Sequence, residues 1–196
     1  MKHYFLMAGI AAMSIFTSCG DAATDSTTDS LNGDTTAVQE LPKSAEIAKA
    51  DLFQTADSAK TIGTAKFYDA GNGQITMDLQ INYPERADSV VAVHFHEHGD
   101  CGNKGENTHG HWNPTNENHG KWGTAPFHSG DIGNIQLDNK GIGSVSVTTD
   151  RWSIADTAKN NIIGRGIIVH GGTDDYKTQP TGNSGPRVGC GVIRKM

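Results

Sequence analysis

A chain of 196 residues has room for one domain plus accessory segments. A net charge of −6 argues against a nucleic-acid partner, and no run reaches the roughly 18–20 consecutive apolar residues of a membrane span. With 24 glycines, 19% charged residues and 7% aromatics, the composition suits a loop-rich β protein better than a helical one.

In chain order, the predicted elements begin with an address. Lys2 precedes an apolar stretch over 4–16 that is too short to span a membrane and stop. Thr17 and Ser18 then lead to Cys19, as small residues lead to the cleavage point of a secretory signal. The arrangement resembles the lipobox of bacterial lipoproteins, whose cysteine becomes the lipid-carrying N-terminus. Phe16 departs from that pattern, in which Leu is usual. The alternative is an ordinary signal peptide with a chance cysteine. Residues 1–18 are expected to be the signal, Cys19 the lipidation site and 19–44 a flexible tether. The Asp-, Thr- and Ser-rich stretch 20–42 has no hydrophobic period with which to bury a core. As a coil it would reach roughly 25 Å. The expected localisation is that of an exported bacterial lipoprotein, membrane-anchored in the periplasm or cell envelope. Loss of Lys2 on cleavage makes the mature charge −7.

From about Ala45 to the C-terminus the pattern changes to short strands, expected at 48–53, 62–69, 74–81, 90–97, 133–137, 143–148, 164–170 and 189–195. Ile75, Met77, Leu79 and Ile81 show the period-two alternation of a half-buried strand. Residues 69–73 read as a hairpin loop, and 139–141 as a turn. Eight short strands without a long helix imply an all-β sandwich or barrel. Two connections, 98–129 and 171–188, are long enough to be functional.

Eight of the nine histidines lie between His94 and His170, beside both long loops. Residues two apart on a strand face the same way, so His94 and His96 point to one side and Phe95 to the other. Alone, such a pair is a weak sign of metal. His111, His119, His128 and Asp131 offer three imidazoles and a carboxylate, a set suited to tetrahedral zinc. His170 ends an apolar strand, where, taken alone, a hydrogen-bonded core histidine is the more natural reading. His98 and His109 read as solvated loop residues or as residues that recruit metal. Beyond the cytosol, Cys101 and Cys190 are expected to pair, since thiols oxidise there; free thiols or thiolate ligands are the other reading.

Residues 92–101 (AVHFHEHGDC), 110–120 (GHWNPTNENHG), 128–134 (HSGDIGN), 164–175 (GRGIIVHGGTDD) and 182–193 (GNSGPRVGCGVI) resemble, in order and spacing, the signatures of the copper/zinc superoxide dismutases. The resemblance covers about 45–196 and implies an eight-stranded Greek-key β-sandwich or barrel. It implies copper bound by His94, His96, His111 and His170, and zinc bound by His111, His119, His128 and Asp131, with His111 bridging the two ions. It implies a Cys101–Cys190 disulfide and an Asp174 carboxylate that hydrogen-bonds His94 and His119. Arg187 would stand at the mouth of the copper channel and attract the anion. The implied reaction converts two superoxide anions and two protons to oxygen and hydrogen peroxide through Cu(II)/Cu(I) cycling, with His111 and Arg187 as catalytic residues. Val93 is a mild departure from the pattern. Family members associate through different faces, so a homodimer is one arrangement the resemblance allows. The rival readings are a non-catalytic copper/zinc-binding protein on the same fold and a lipid-anchored interaction module with incidental histidines.

Overall fold

The computed structural model describes residues 44–196; the signal segment, Cys19 and the tether as far as residue 43 lie outside them. The strands are β1 (Glu46–Gln54), β2 (Thr61–Gly71), β3 (Gln74–Asn82), β4 (Val90–His96), β5 (Gly133–Gln136), β6 (Ile142–Thr149), β7 (Gly166–His170), β8 (Arg187–Val192) and the two-residue β9 (Arg194–Lys195). Helical structure among the described residues is limited to 3₁₀ turns at Pro84–Arg86 and Asn103–Thr108.

The alternation expected from the sequence sets which face each strand buries. In β3, Ile75, Met77, Leu79 and Ile81 are buried while the residues between them reach the surface. All pairings are antiparallel and run β5-β4-β7-β8-β1-β2-β3-β6, with β8 meeting β1 at Phe53↔Cys190 and Gln54↔Gly189. The two ends of this path, β5 and β6, follow one another in sequence. The Asp138 amide donates to the Ile142 carbonyl at 2.9 Å in the turn that joins them. The result is a nearly closed, eight-stranded Greek-key barrel, as expected.

Two details differ from the sequence reading. The expected strand 189–195 starts earlier and is interrupted at Ile193, whose amide donates to the Arg165 carbonyl at 3.0 Å and whose carbonyl accepts from Gly164 at 2.8 Å. Residues 164–165 are thereby drawn out of β7, which begins only at Gly166. A third long connection, 150–165, also escaped the sequence reading. It carries Trp152 and Ile162, both buried in the core. The Trp152 indole lies 5.1 Å from the Phe95 ring, and its Nε1 donates to the Ser129 carbonyl at 2.8 Å. One side chain thus joins the barrel interior to the loop that carries His128 and Asp131.

β4 and β7 present two different faces. Val93, Phe95, Ile167 and Val169 point into the barrel core. Ala92 lies opposite His170, His94 opposite Ile168 and His96 opposite Gly166, so the three histidines share the outer face. That face is not solvated, because all five residues of β7 are buried. The long connection after β4 covers it. Gly105 comes close to the Ile168 side chain, and a Cβ on Gly166 would meet the His98 carbonyl and Thr108.

Candidate metal centre

Three histidines on a covered face and four residues from the covering loop meet outside the barrel wall. The ligand atoms of His94, His96, His111 and His170 lie within 4.8 Å of one another, and so do those of His111, His119, His128 and Asp131. His111 belongs to both sets. It reaches β4 through a single β-bridge with His96. All seven residues are buried.

The hydrogen bonds around the rings determine which nitrogens are left facing inward. His96 Nδ1–H donates to the His109 carbonyl at 2.8 Å, and His170 Nδ1–H donates to the Gly185 carbonyl at 3.2 Å. A carbonyl can only accept, so each ring keeps its proton on Nδ1 and turns the lone pair of Nε2 inward. Those two Nε2 atoms face each other at 3.4 Å with no proton left to share. His94 Nε2–H and His119 Nε2–H donate to the two oxygens of Asp174, both at 2.9 Å. That leaves Nδ1 as the inward atom of both rings.

Four buried ring nitrogens lack a well-directed hydrogen bond: His94 Nδ1, His111 Nε2, His119 Nδ1 and His128 Nδ1, the last two lying 3.0 and 3.2 Å from the Asp131 carboxylate. Orphaned buried acceptors are uncommon and call for an explanation. Inward lone pairs gathered at two points are what two cations require. The first set offers four imidazole nitrogens, which suits copper; the second offers three imidazoles and a carboxylate, which suits zinc. His111 alone has both ring nitrogens committed, Nε2 to the first set and Nδ1, 3.0 Å from Asp131 Oδ1, to the second.

Asp131 is fixed by more than the rings. Its Oδ2 accepts from the amides of His128 at 2.9 Å and Gly120 at 3.1 Å. Burial alone would raise its pKa, but the imidazoles of His111, His119 and His128 within 3.2 Å of its oxygens outweigh this and hold it well below the usual carboxylate range. Asp174 is lowered in the same way, with burial opposed by His119 and His94. Burial lowers His94 and His96, and lowers His170 to about 3 and His111 to about 4. His119 goes the other way: burial is overcome by Asp131 and Asp174, and it rises to about 9.

These shifts predict how the metal-free protein responds to pH. His170 and His111 have folded values below the ordinary 6.5, so the unfolded chain binds more protons between about 3 and 6.5. Their contribution is complete above 6.5 and is lost as pH falls through their folded values. His119 contributes in the opposite sense: its share is complete below 6.5 and is lost as pH rises through about 9. Chelator-treated protein is therefore expected to melt at its highest temperature near neutral pH, with a steep decline on the acid side. A melting temperature that stayed level from pH 6.5 to 4 would contradict the assigned neutral rings.

Every metal ligand expected from the sequence falls within this constellation, while Cys19 lies outside the described residues. Cys101 and Cys190 form a disulfide with a Cα–Cα separation of 5.8 Å, tying the covering loop to β8 across 89 residues of sequence. In the chain-entropy model such a closure restrains the unfolded state by roughly 4–5 kcal/mol. Arg187 Nη1 donates to the Gly105 carbonyl at 2.7 Å and to Thr108 Oγ1 at 2.6 Å, and Nη2 donates to the His109 carbonyl at 2.7 Å. It lines a cleft of about 310 Å³ with His96, His111, His170, Thr181, Asn183, Ser184 and Gly185. Arg187 is the only formally charged side chain of that lining. Glu106 lies 3.5 Å from its Nε and tempers that charge.

Two supporting residues were missed by the sequence reading. Asn134 on β5 pins the Asp174 backbone from both sides: its Nδ2 donates to the Asp174 carbonyl at 2.9 Å and its Oδ1 accepts from the Asp174 amide at 2.8 Å. No sequence pattern marks it. Gly182 has φ +65, and a Cβ there would overlap Asp174 Oδ1 and His119 Nε2. Its signal was a glycine within the long loop that carries Asp174. Gly182→Ala is expected to displace the Asp174–His119 pair and weaken zinc binding roughly 10–100-fold, as loss of a partner that orients a ligand does. Chelator competition would measure it; unchanged zinc affinity would remove Asp174 from the holding of His119.

The fold and the site together define a β-barrel that carries two joined sets of metal-ligating side chains on its outer face. Residues 61–193 match the family model for copper/zinc superoxide dismutase (SODC). The chain is 34% identical over 151 residues to superoxide dismutase [Cu-Zn] 2 of Aquifex aeolicus, covering 75% of this chain and 86% of that one. It is 34% identical over 144 residues to superoxide dismutase [Cu-Zn] of Yarrowia lipolytica, covering 69% and 90%. A solved SOD-like protein from Bacillus subtilis superposes with a TM-score of 0.64 at 27% identity, covering 74% of this chain and 96% of that chain. The chain belongs to the copper/zinc superoxide dismutase family.

Proposed function

We propose that this protein catalyses the dismutation of superoxide, two anions and two protons giving one oxygen and one hydrogen peroxide. The observation that carries the reading is the pair of converging nitrogen sets, joined by His111, beside a cleft whose one charge is Arg187. His94, His96, His111 and His170 would hold copper; His111, His119, His128 and Asp131 would hold zinc. Copper supplies an ion that accepts and returns one electron, which zinc, with no redox chemistry, does not.

The residues do the rest. Arg187 draws the anion into the cleft with its fixed positive charge and orients it with the Nη2 hydrogen that its bonds to Gly105, Thr108 and His109 leave free. His111 Nε2, buried and without a partner, is the atom that takes up a proton in the first half of the cycle and gives it to the second superoxide. Its Nδ1 side, among His119, His128 and Asp131, keeps the ring in place through both halves. Asp174 holds one ring of each set, so neither set rotates independently of the other.

A second reading, a metal-binding protein without turnover, draws on the likeness to a protein described only as SOD-like. Protein loaded with zinc alone should leave superoxide untouched, and protein loaded with both metals should consume it. Equal inactivity of the two samples would favour the second reading.

The N-terminal sequence supports export and lipid attachment at Cys19, which would place the enzyme at a membrane surface in the cell envelope. A mature chain whose mass begins at lipidated Cys19, and which a Cys19→Ala change frees from membranes, is the expected outcome. Recovery of the unaltered mature chain in the soluble fraction would overturn it.

A further inference from the structure

Beyond the bridge between His96 and His111, the two segments stay hydrogen-bonded for two more residues. The Glu97 amide donates to the Gly110 carbonyl and the His98 amide to the Thr108 carbonyl, both at 3.1 Å. The two segments run antiparallel here, so His98 and His109 become cross-strand neighbours. Their rings meet edge to face with centroids 4.6 Å apart. The Glu97 carboxylate completes a group whose ligand atoms lie within 4.8 Å of one another. All three residues are exposed, and none of their side chains has a hydrogen bond or ion pair among the described residues.

We propose that Glu97, His98 and His109 form a third, solvent-facing metal site, separate from the buried centre, which takes a borderline divalent cation such as Zn²⁺ or Cu²⁺. Two imidazoles and one carboxylate are the donor set of an open zinc-type site, with remaining positions left to water. Magnesium and calcium, which favour all-oxygen ligands, are poorly served by it. Arg165 lies close but does not occupy the carboxylate. Its Nη1 donates to the Glu97 backbone carbonyl at 2.6 Å, and its guanidinium lies over the Trp112 ring at 5.4 Å.

The backbone supplies an independent argument. His109 has φ 62 and ψ −139, a conformation that costs a side chain of order 1–3 kcal/mol and that glycine adopts freely. The fold uses His109 through its backbone alone: its carbonyl accepts from His96 and from Arg187, and its amide donates to the Glu106 carbonyl at 3.1 Å. A glycine would serve these bonds without strain, so the imidazole at this position has to be explained by something the imidazole itself does. Because that same carbonyl holds a ring of the copper set and the cleft arginine, an ion at the outer site would sit one residue from the buried centre's supports.

The test uses the untagged full chain, loaded with copper and zinc and counted by elemental analysis, then titrated with Zn²⁺ alone by calorimetry. One further zinc per chain is expected. His98→Asn and His109→Gly should each lower its affinity by at least about tenfold, since even the outer partners of metal ligands are worth roughly 10–100-fold. The count taken before titration separates failure of the inner sites from failure of the outer one. Uptake of no further zinc by the fully loaded protein, or a further zinc whose affinity is unchanged in either variant, would overturn the proposal.

Discussion

His111→Ala is expected to cost the protein both metals and essentially all superoxide removal, whereas His128→Ala should chiefly loosen zinc. The asymmetry follows from geometry. His128 contributes one inward nitrogen to one set, while His111 contributes one to each. Removing His111 leaves the first set with three imidazoles and the second with two imidazoles and Asp131. It also leaves the Asp131 carboxylate, buried and strongly favoured in its charged form, with one fewer partner. Breaking such a buried charge network by deleting one member costs several kcal/mol, in the range of about 3–5. Copper and zinc counted on purified variants would check both halves. Retention of both metals and full activity in His111→Ala would show that the two sets are not joined through this ring.

Replacing Arg187 should produce a different signature, with metals kept and rate lost. Field focusing by positive charge in a cleft can raise anion arrival roughly 10–1000-fold, and here one guanidinium carries that charge in a protein of negative net charge. Arg187→Ala is expected to lower the rate by about tenfold or more and to flatten its dependence on salt, because screening then has less attraction to remove. Arg187→Lys should restore the salt dependence but only part of the rate. A lysine keeps the charge but lacks the fork that lets Arg187 bond Gly105, Thr108 and His109 while facing the cleft. An Arg187→Ala protein with native rate and native salt slope would exclude this role.

The seven metal-facing residues were legible because their signal is short-range or ordered in sequence. His94 and His96 sit two apart on a strand, and strand geometry alone puts them on one face. His170 was ambiguous by itself, since an apolar strand ending in histidine also describes a core residue. Its register opposite Ala92 is what places it beside His94. Asp131 was readable from its company, and the structure adds the two amides that aim it.

The supports were less legible because they depend on approach between distant segments. Nothing local marks Asn134 as the anchor of Asp174, or Trp152 as the link from the core to Ser129. Gly182 was visible as a glycine but not as the space that Asp174 and His119 occupy. His98 and His109 were left as either loop residues or metal recruiters. Their pairing emerges only when the chain returns antiparallel beside β4, and the strained backbone of His109 has no counterpart in sequence pattern.

A dismutase turns over superoxide, whereas a metal-binding protein on the same fold only holds its ions. The most direct measurement follows superoxide decay by stopped flow, at a large excess over protein whose copper and zinc have been counted in the same sample. Many superoxide anions should be consumed per copper, with oxygen and peroxide formed in equal amounts. Consumption that stopped near one superoxide per copper, in protein carrying both metals, would contradict turnover.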